Sequence, residues 1–284
     1  MGFISVWMVS WKWGRNWESW RNRPNNDTLM AETENFIRVL TTPCLVTDKA
    51  ELTGKLTRLV KASSVPQPVS IDFTNVHIVA MRKVDEGFRE QTSSVDCFVP
   101  DSQILTWAVS WLGARGNERV YGPAFLDYFV RNADAGLTHY FLGASQECLD
   151  QLLTKLREKR PEIKIVGSHN GYFEDADEEA INAEINQLKP DLVWVGLGTP
   201  KQQDWIHRNK GKIEAGVLLA VGFAFDVNAG TKSDAPEWMG KCGVLWLYRF
   251  ICEPRRLFKR YAVYNSVFLW HLFRQVISGD RSGQ

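Results

Sequence analysis

None of the five cysteines, at positions 44, 97, 148, 242 and 252, stands in a C-x-x-C pair. Their number is odd and their spacing irregular, which argues against a disulfide framework or a structural zinc site and for a reducing compartment. Cys148 and Cys252 have apolar neighbours and are expected to be buried thiols. Charge of one sign is also lacking. The 34 Lys and Arg nearly balance 33 Asp and Glu, leaving +1, so nothing global argues for nucleic-acid binding. No run reaches the roughly 18–20 apolar residues needed to span a bilayer, and the aromatic-rich stretch 261–273 is too short. Residues 2–11 are uncharged but lack a basic start and a small-residue cleavage site, so a secretory signal fits poorly. Two nucleotide-binding signatures are missing as well. No glycine-rich loop ends in Gly-Lys-Ser/Thr, and none reads G-x-G-x-x-G, which counts against ATPase and dehydrogenase readings.

What is present suits a globular chain of one large or two modest domains: 284 residues, 44% apolar and 24% charged. Three regions differ in character. Residues 1–35 crowd Trp7, Trp11, Trp13, Trp17 and Trp20 among Lys12, Arg15, Arg21 and Arg23 before a break at Pro24. They read as a Trp-rich extension, either packed on or trailing from the domain or serving as a membrane or partner arm. Residues 36–240 alternate strand-like and helix-like patterns and read as the core. Residues 241–284 read as a helical appendage, basic early and apolar late. Between Arg249 and Arg274 they hold six Arg/Lys and one Glu, and Pro254 suits a first helical position.

Within the core, 69–73 alternates apolar and polar residues, as a strand with one buried face does. A short strand is expected at 120–121, ending on Gly122, and another at 138–142, ending on Gly143. Ser145 is placed to cap a helix carrying Leu149, Leu152, Leu153 and Leu156 at i, i+3, i+4, i+7. A strand follows at 163–166, ending at Gly167. A helix marked by Ile181, Ile185 and Leu188 is stopped by Pro190. The strands 192–195 and 217–221, the latter ending on Gly222, are apolar throughout, as parallel strands covered on both faces are. This alternation predicts an α/β fold, a Rossmann-like parallel sheet flanked by helices.

Ligands in such sheets bind beyond the carboxyl ends of the strands. The segment Val195-Gly196-Leu197-Gly198-Thr199-Pro200-Lys201-Gln202 reads as a glycine loop running into a helix. Thr199 is expected as N-cap, Pro200 as first helical residue and Gln202 as the return partner of a capping box. Its free N–H groups suit a phosphate, although an ordinary capped helix reads the same way. Asp226 follows the next strand end, where a carboxylate can hold a sugar hydroxyl, a ribose or a base, or simply cap the turn. Asp101 is the carboxylate best suited to take a proton from an attacking hydroxyl. Capping the helix over 104–112 is its alternative role, one Ser102 can also fill. His77 and His169 are single histidines without metal-ligand spacing, and neither a metal nor a cofactor is predicted.

The ordered set Asn75-Val76-His77, Pro100-Asp101, Val120-Tyr121-Gly122, Tyr140-Phe141-Leu142-Gly143, Gly171-Tyr172-Phe173, 195–202, Phe225-Asp226, Ala235-Pro236, Leu247-Tyr248-Arg249 and Glu253-Pro254-Arg255-Arg256 resembles the WecG/TagA/CpsF glycosyltransferases of bacterial surface polysaccharide and teichoic acid synthesis. The likeness spans roughly residues 65–265. It implies transfer of an N-acetylhexosamine such as N-acetylmannosamine from a UDP-sugar to a polyprenyl-diphosphate-linked acceptor, with inversion, by a peripheral protein on the inner face of the membrane. It implies Asp101 as the base. It also implies substrate contacts from Thr74, Asn75, Gly122, Gly143, Tyr172, Gly196, Gly198, Thr199, Pro200, Gln202, Gly222 and Asp226, with Arg249, Arg255 and Arg256 on the diphosphate. Several positions depart from the family pattern. Phe73 stands where Thr is common, Ser102 for Gly, Gln203 for Glu, Asp234 for Arg and Leu245 for Glu. These departures admit an alternative, a catalytically weakened sugar-nucleotide-binding or scaffold member of an assembly system. A nicotinamide oxidoreductase is more distant.

Overall fold

The structure, a computed structural model, describes residues 36–62 and 67–278; the Trp-rich stretch lies outside them. In chain order the strands are β1 (Phe36–Val39), β2 (Thr42–Leu45), β3 (Val69–Thr74), β4 (Cys97–Pro100), β5 (Thr138–Gly143), β6 (Lys164–His169), β7 (Leu192–Gly196) and β8 (Val217–Ala220). The helices are α1 (Lys49–Lys61), α2 (Val76–Val84), α3 (Glu86–Gln91), α4 (Gln103–Trp111), α5 (Gly122–Asn132), α6 (Gln146–Lys159), α7 (Glu178–Leu188), α8 (Lys201–Asn209), α9 (Ala224–Ala229), α10 (Glu237–Lys241), α11 (Leu245–Cys252) and α12 (Pro254–Ile277).

The strands form one sheet in the order β1-β2-β4-β3-β8-β7-β5-β6. Only β1 and β2 pair antiparallel; every other pairing is parallel. The upstream strands β1–β4 and the downstream strands β5–β8 therefore meet at one seam, the β3–β8 ladder, where Ile71 faces Leu219 and Asp72 faces Ala220.

Helices cover both faces, so the central strands are buried whatever their composition. On one face Tyr140, Leu142, Val193, Val195 and Leu218 pack against Ile181 and Ile185 of α7 and Trp205 and Ile206 of α8. On the other, the Trp194 ring stacks on Phe141 and His139 and meets Phe129 of α5 edge-on. The last helix belongs to the upstream half. Phe268 and Leu272 of α12 sit fully within a cluster formed by Val39, Cys44, Val79, Leu105 and Val109. Gln275 accepts from the Leu40 N–H at 2.9 Å and donates to the Arg38 carbonyl at 2.9 Å, tying α12 to the edge hairpin.

Local signals formed as their chemistry dictates. Ser145 accepts from the Cys148 N–H at 3.2 Å and caps α6. Lys189, in the left-handed region, ends α7 immediately before Pro190. Pro254 occupies the first turn of α12.

Three expectations are corrected. β3 is buried at all six positions, not on one face, because it lies in mid-sheet and its polar residues have buried partners. Ser70 bonds Asp96, and Thr74 donates to Asp72. Residues 120–121 form no strand; Val120 makes a single bond to the Pro100 carbonyl, and α5 begins directly at Gly122. Cys148 is buried, but Cys252 is exposed, because α11 turns that side toward an open cleft.

Candidate active site

A cleft of about 1030 Å³ opens over the carboxyl ends of the strands, centred on the seam. Six strand ends feed it: Phe73 and Asn75 at the end of β3, Asp101 after β4, Ala144 and Ser145 after β5, Gly171 and Tyr172 after β6, the stretch from Gly196 to Gln202 except Pro200 at the end of β7, and Val221 and Gly222 after β8. Residues of α11, among them Tyr248, Arg249 and Cys252, close the far side.

The wall built from β5, β7 and β8 is mostly backbone. Gly143 has φ +142°, and a Cβ there would lie 2.4 Å from the Gly196 carbonyl carbon. Two strand ends thus touch at a point where no side chain fits. A Cβ on Gly196 would in turn strike the Phe225 ring at 2.7 Å. The chain then enters α8, but not with the expected capping box. Pro200, preceded by a cis bond, is the N-cap residue and has no side-chain cap. The Thr199 hydroxyl instead accepts from Gln203 Nε2 at 3.4 Å, and Gln202 gives its backbone N–H to the Gly198 carbonyl at 2.9 Å. The Gln202 side chain is drawn inward beneath Gly222, where its buried Oε1 has no hydrogen-bond partner among the described residues. A buried amide oxygen without a donor is costly, which suits a position that a ligand satisfies. Lys201 bonds the Gly171 carbonyl at 2.9 Å and lies 4.4 Å over the Phe173 ring, holding the 171–173 loop against the helix start.

The opposite wall is built of side-chain charge. Ser102, not Asp101, caps α4. That frees the Asp101 carboxylate, which accepts from the Gly122 N–H at the start of α5 at 2.7 Å. Burial raises the Asp101 pKa, the Gly122 bond and the cations Arg119 and Arg249 pull it back, and Asp234 adds to the rise; the result lies above the ordinary carboxylate value. Arg119 donates to the Asp101 carbonyl at 2.9 Å and lies 4.2 Å over the Tyr121 ring. Tyr121, its phenol pushed up by burial, donates to Asp234 at 2.7 Å and accepts from Arg249 at 3.1 Å. Burial lowers the Arg249 pKa, but Tyr121 and Asp101 more than offset this, so the guanidinium stays charged, 4.5 Å over Phe223. Lys232 lies 3.4 Å from Asp226 and 3.9 Å from Glu253, spanning the cleft rim.

Ten of the expected site residues line this cleft: Asn75, Asp101, Tyr172, Gly196, Gly198, Thr199, Gln202, Gly222, Asp226 and Arg249. Asn75 also caps α2, accepting from the His77 N–H at 3.0 Å, and Asp226 sits in the first turn of α9. Five do not line it. Thr74 is fully buried and turned onto Asp72. Gly122 and Gly143 act from behind, one through its N–H and one through its close contact. Pro200 is exposed, and Arg255 is exposed on the first turn of α12. The Arg256 side chain lies outside the described residues. Sequence reasoning missed Arg119 and Lys232, and it placed Lys201 in the 195–202 segment without giving it a role. The one available signal for Arg119 was a charged residue immediately before the Val120-Tyr121-Gly122 motif. His77 packs edge-on against Tyr264, and His169 bonds the adjacent Asn170 carbonyl.

A mostly parallel sheet with a cleft at the carboxyl ends of its strands, lined by a raised carboxylate and an arginine, is the arrangement in which α/β enzymes place their ligands. The chain belongs to the glycosyl transferase WecG/TagA/CpsF family, whose model matches residues 37–282, and is a glycosyltransferase. Among its curated relatives are the N-acetylglucosaminyldiphosphoundecaprenol N-acetyl-beta-D-mannosaminyltransferases of Staphylococcus aureus strains NCTC 8325 / PS 47 and COL. Each is 28% identical over 184 residues, covering 64% of this chain and 72% of the relative. The protein of the same name from strain MRSA252 matches at the same identity and coverage.

Proposed function

We propose that this glycosyltransferase moves an N-acetylhexosamine from a UDP-sugar to a polyprenyl-diphosphate-linked sugar, with inversion, at the inner face of the membrane. The observation that carries the reading is the Asp101 carboxylate, held in the cleft by the Gly122 N–H and under the charge of Arg119 and Arg249. A pKa above the ordinary range makes Asp101 a stronger base than a surface carboxylate. In the proposed step an acceptor hydroxyl gives its proton to Asp101 while its oxygen bonds the anomeric carbon. The bond from that carbon to the UDP oxygen breaks, and UDP departs from the opposite face. The diphosphate lies along 196–202, with Arg249 offsetting the negative charge it gains. Gln202 Oε1 accepts from a donor group, and Asp226 holds a hydroxyl. By the family likeness, Arg255 and Arg256 serve the diphosphate as well.

The acceptor class follows the relatives' names, and the donor follows the family likeness and the shape of the site. Among the described residues no helix is long and apolar enough to cross a membrane. Ile251, Phe258, Leu269, Trp270, Phe273 and Ile277 of α11 and α12 are nonetheless exposed, a face that suits the headgroup region of a bilayer beside a lipid-linked acceptor.

The experiment is a transfer assay with a panel of UDP-N-acetylhexosamines and a polyprenyl-diphosphate-linked N-acetylglucosamine. Formation of a lipid-linked disaccharide and free UDP supports the proposal. UDP binding without product across the panel contradicts it and favours a scaffold role.

A further inference from the structure

β3 carries a carboxylate where its neighbours in the sheet do not. Asp72 is fully buried, opposite Ala220 on one side and Phe98 on the other, whereas β7 fills its central positions with apolar side chains alone. Burying a carboxylate in mid-sheet is expensive unless its lone pairs are met. Here the Thr74 hydroxyl donates to one oxygen and Gln203 Nε2 donates to the other at 2.7 Å. The same amide nitrogen reaches the Thr199 hydroxyl at 3.4 Å. Gln203 is itself fully buried, and its Oε1 has no hydrogen-bond partner among the described residues. Its orientation is therefore set by the carboxylate: reversing the amide would place oxygen against oxygen. Arg82 on α2, a cation whose charge acts on Asp72, is already engaged with Thr42, Thr92 and the Thr41 carbonyl. The Asp72 side chain thus bonds the far half of the sheet at the first turn of α8, at the seam where the two halves meet. A directional bond fixes the azimuth of that turn, which a hydrophobic contact would leave free to slide.

We propose that Asp72 is a positioning residue. Through Gln203 it fixes the first turn of α8 and the Thr199 hydroxyl, and so holds the 196–202 loop in the conformation that receives the nucleotide diphosphate. This rests on the donor reading given above. Asp72 touches no substrate, and its effect belongs in donor binding rather than in the chemical step. The pairing also makes the loop sensitive to the charge at position 203. A glutamate there would face Asp72 directly, and two carboxylates in contact share a proton rather than both ionise. The other charged groups near this pair are Arg82 on α2 and Asp101 after β4.

The test is calorimetric titration of UDP into the full chain at pH 6 and pH 8, with melting curves and donor kinetics. Asp72→Ala is expected to weaken UDP binding about tenfold and raise donor KM by the same factor, with kcat within about twofold. Asp72→Asn keeps an acceptor for Gln203 and is expected to stay within about threefold of the wild type. Gln203→Glu is expected to bind UDP more weakly relative to wild type at pH 8 than at pH 6. The double variant Asp72→Asn with Gln203→Glu exchanges amide and carboxylate and should restore binding at both values. Wild type that binds UDP, with Asp72→Ala and Gln203→Glu binding equally well, overturns the inference alone. So does a folded double variant that fails to bind, which also decides the matter if the single variants do not fold. A wild-type chain that binds no UDP overturns the donor reading, and this inference with it.

Discussion

The two walls of the cleft are made of different materials. The wall from β5, β7 and β8 is backbone in contact with backbone, with Gly143 against Gly196 and Gly196 against Phe225. The wall from β4, α5 and α11 is a chain of charged and phenolic side chains, from Asp101 and Arg119 through Tyr121 to Asp234 and Arg249. A backbone wall presents fixed amide groups and tolerates no added atoms, so a substitution there acts on folding. A side-chain wall can lose a group and keep its shape, so a substitution there acts on chemistry.

That contrast is open to attack by mutation. The largest effect is expected on the charged wall. Asp101→Asn removes the proposed base but keeps the volume and the cap of α4, and is expected to lower transfer by about 10²- to 10⁴-fold, measured as released UDP. Its melting temperature should not fall. On the backbone wall, Gly143→Ala forces a Cβ to within 2.4 Å of the Gly196 carbonyl at φ +142°. It is expected to destabilise the fold by about 4 kcal/mol, read by denaturant titration; native stability in that variant would remove the contrast.

Asp72, which supports the backbone wall from below, sharpens the comparison through pH. Burial outweighs the Thr74, Gln203 and Arg82 interactions and lifts its carboxyl from 3.8 to about 6. A folded pKa above the unfolded one means stability present below about pH 4 and lost as pH rises through 6. Asp72→Asn does not titrate. Its stability relative to wild type should therefore rise between pH 4 and pH 7, by up to about 3 kcal/mol. Parallel stability curves would contradict the assignment. The smallest effect is expected from Arg249→Gln. It leaves Tyr121 bonded to Asp234 and removes the cation, lowering kcat/KM about tenfold with a weaker salt dependence.

The backbone wall was largely legible in the sequence, because glycine spacing after apolar strands reports where chains must approach. The β7 strand, the Ser145 cap and the Pro190 stop were readable for the same reason: each depends on residues adjacent in sequence. The charged wall was only half legible. Asp101 stood out as a carboxylate after a strand, but its partners Arg119 and Tyr121, on the loop before α5, and Asp234, on the loop after α9, are brought to it only by the tertiary fold. The capping box at Thr199 and Gln202 failed because burial of Gln202 and the bond from Gln203 outcompeted it. The β1–β2 hairpin gave no signal at all. Its turn runs through Leu40, at φ 56°, and Thr41, with no Gly, Asn or Asp to mark it. The 69–73 pattern suggested one wet face because Ser70 and Asp72 are polar, and only their buried partners explain why both lie inside.

If the backbone wall holds the nucleotide and the charged wall performs the transfer, binding and turnover separate in one variant. Calorimetric titration of UDP into Asp101→Asn tests this most directly. The expected result is a Kd within twofold of the wild type in a protein that no longer transfers sugar. A Kd raised tenfold or more, or transfer at the wild-type rate, would contradict the division of labour between the two walls.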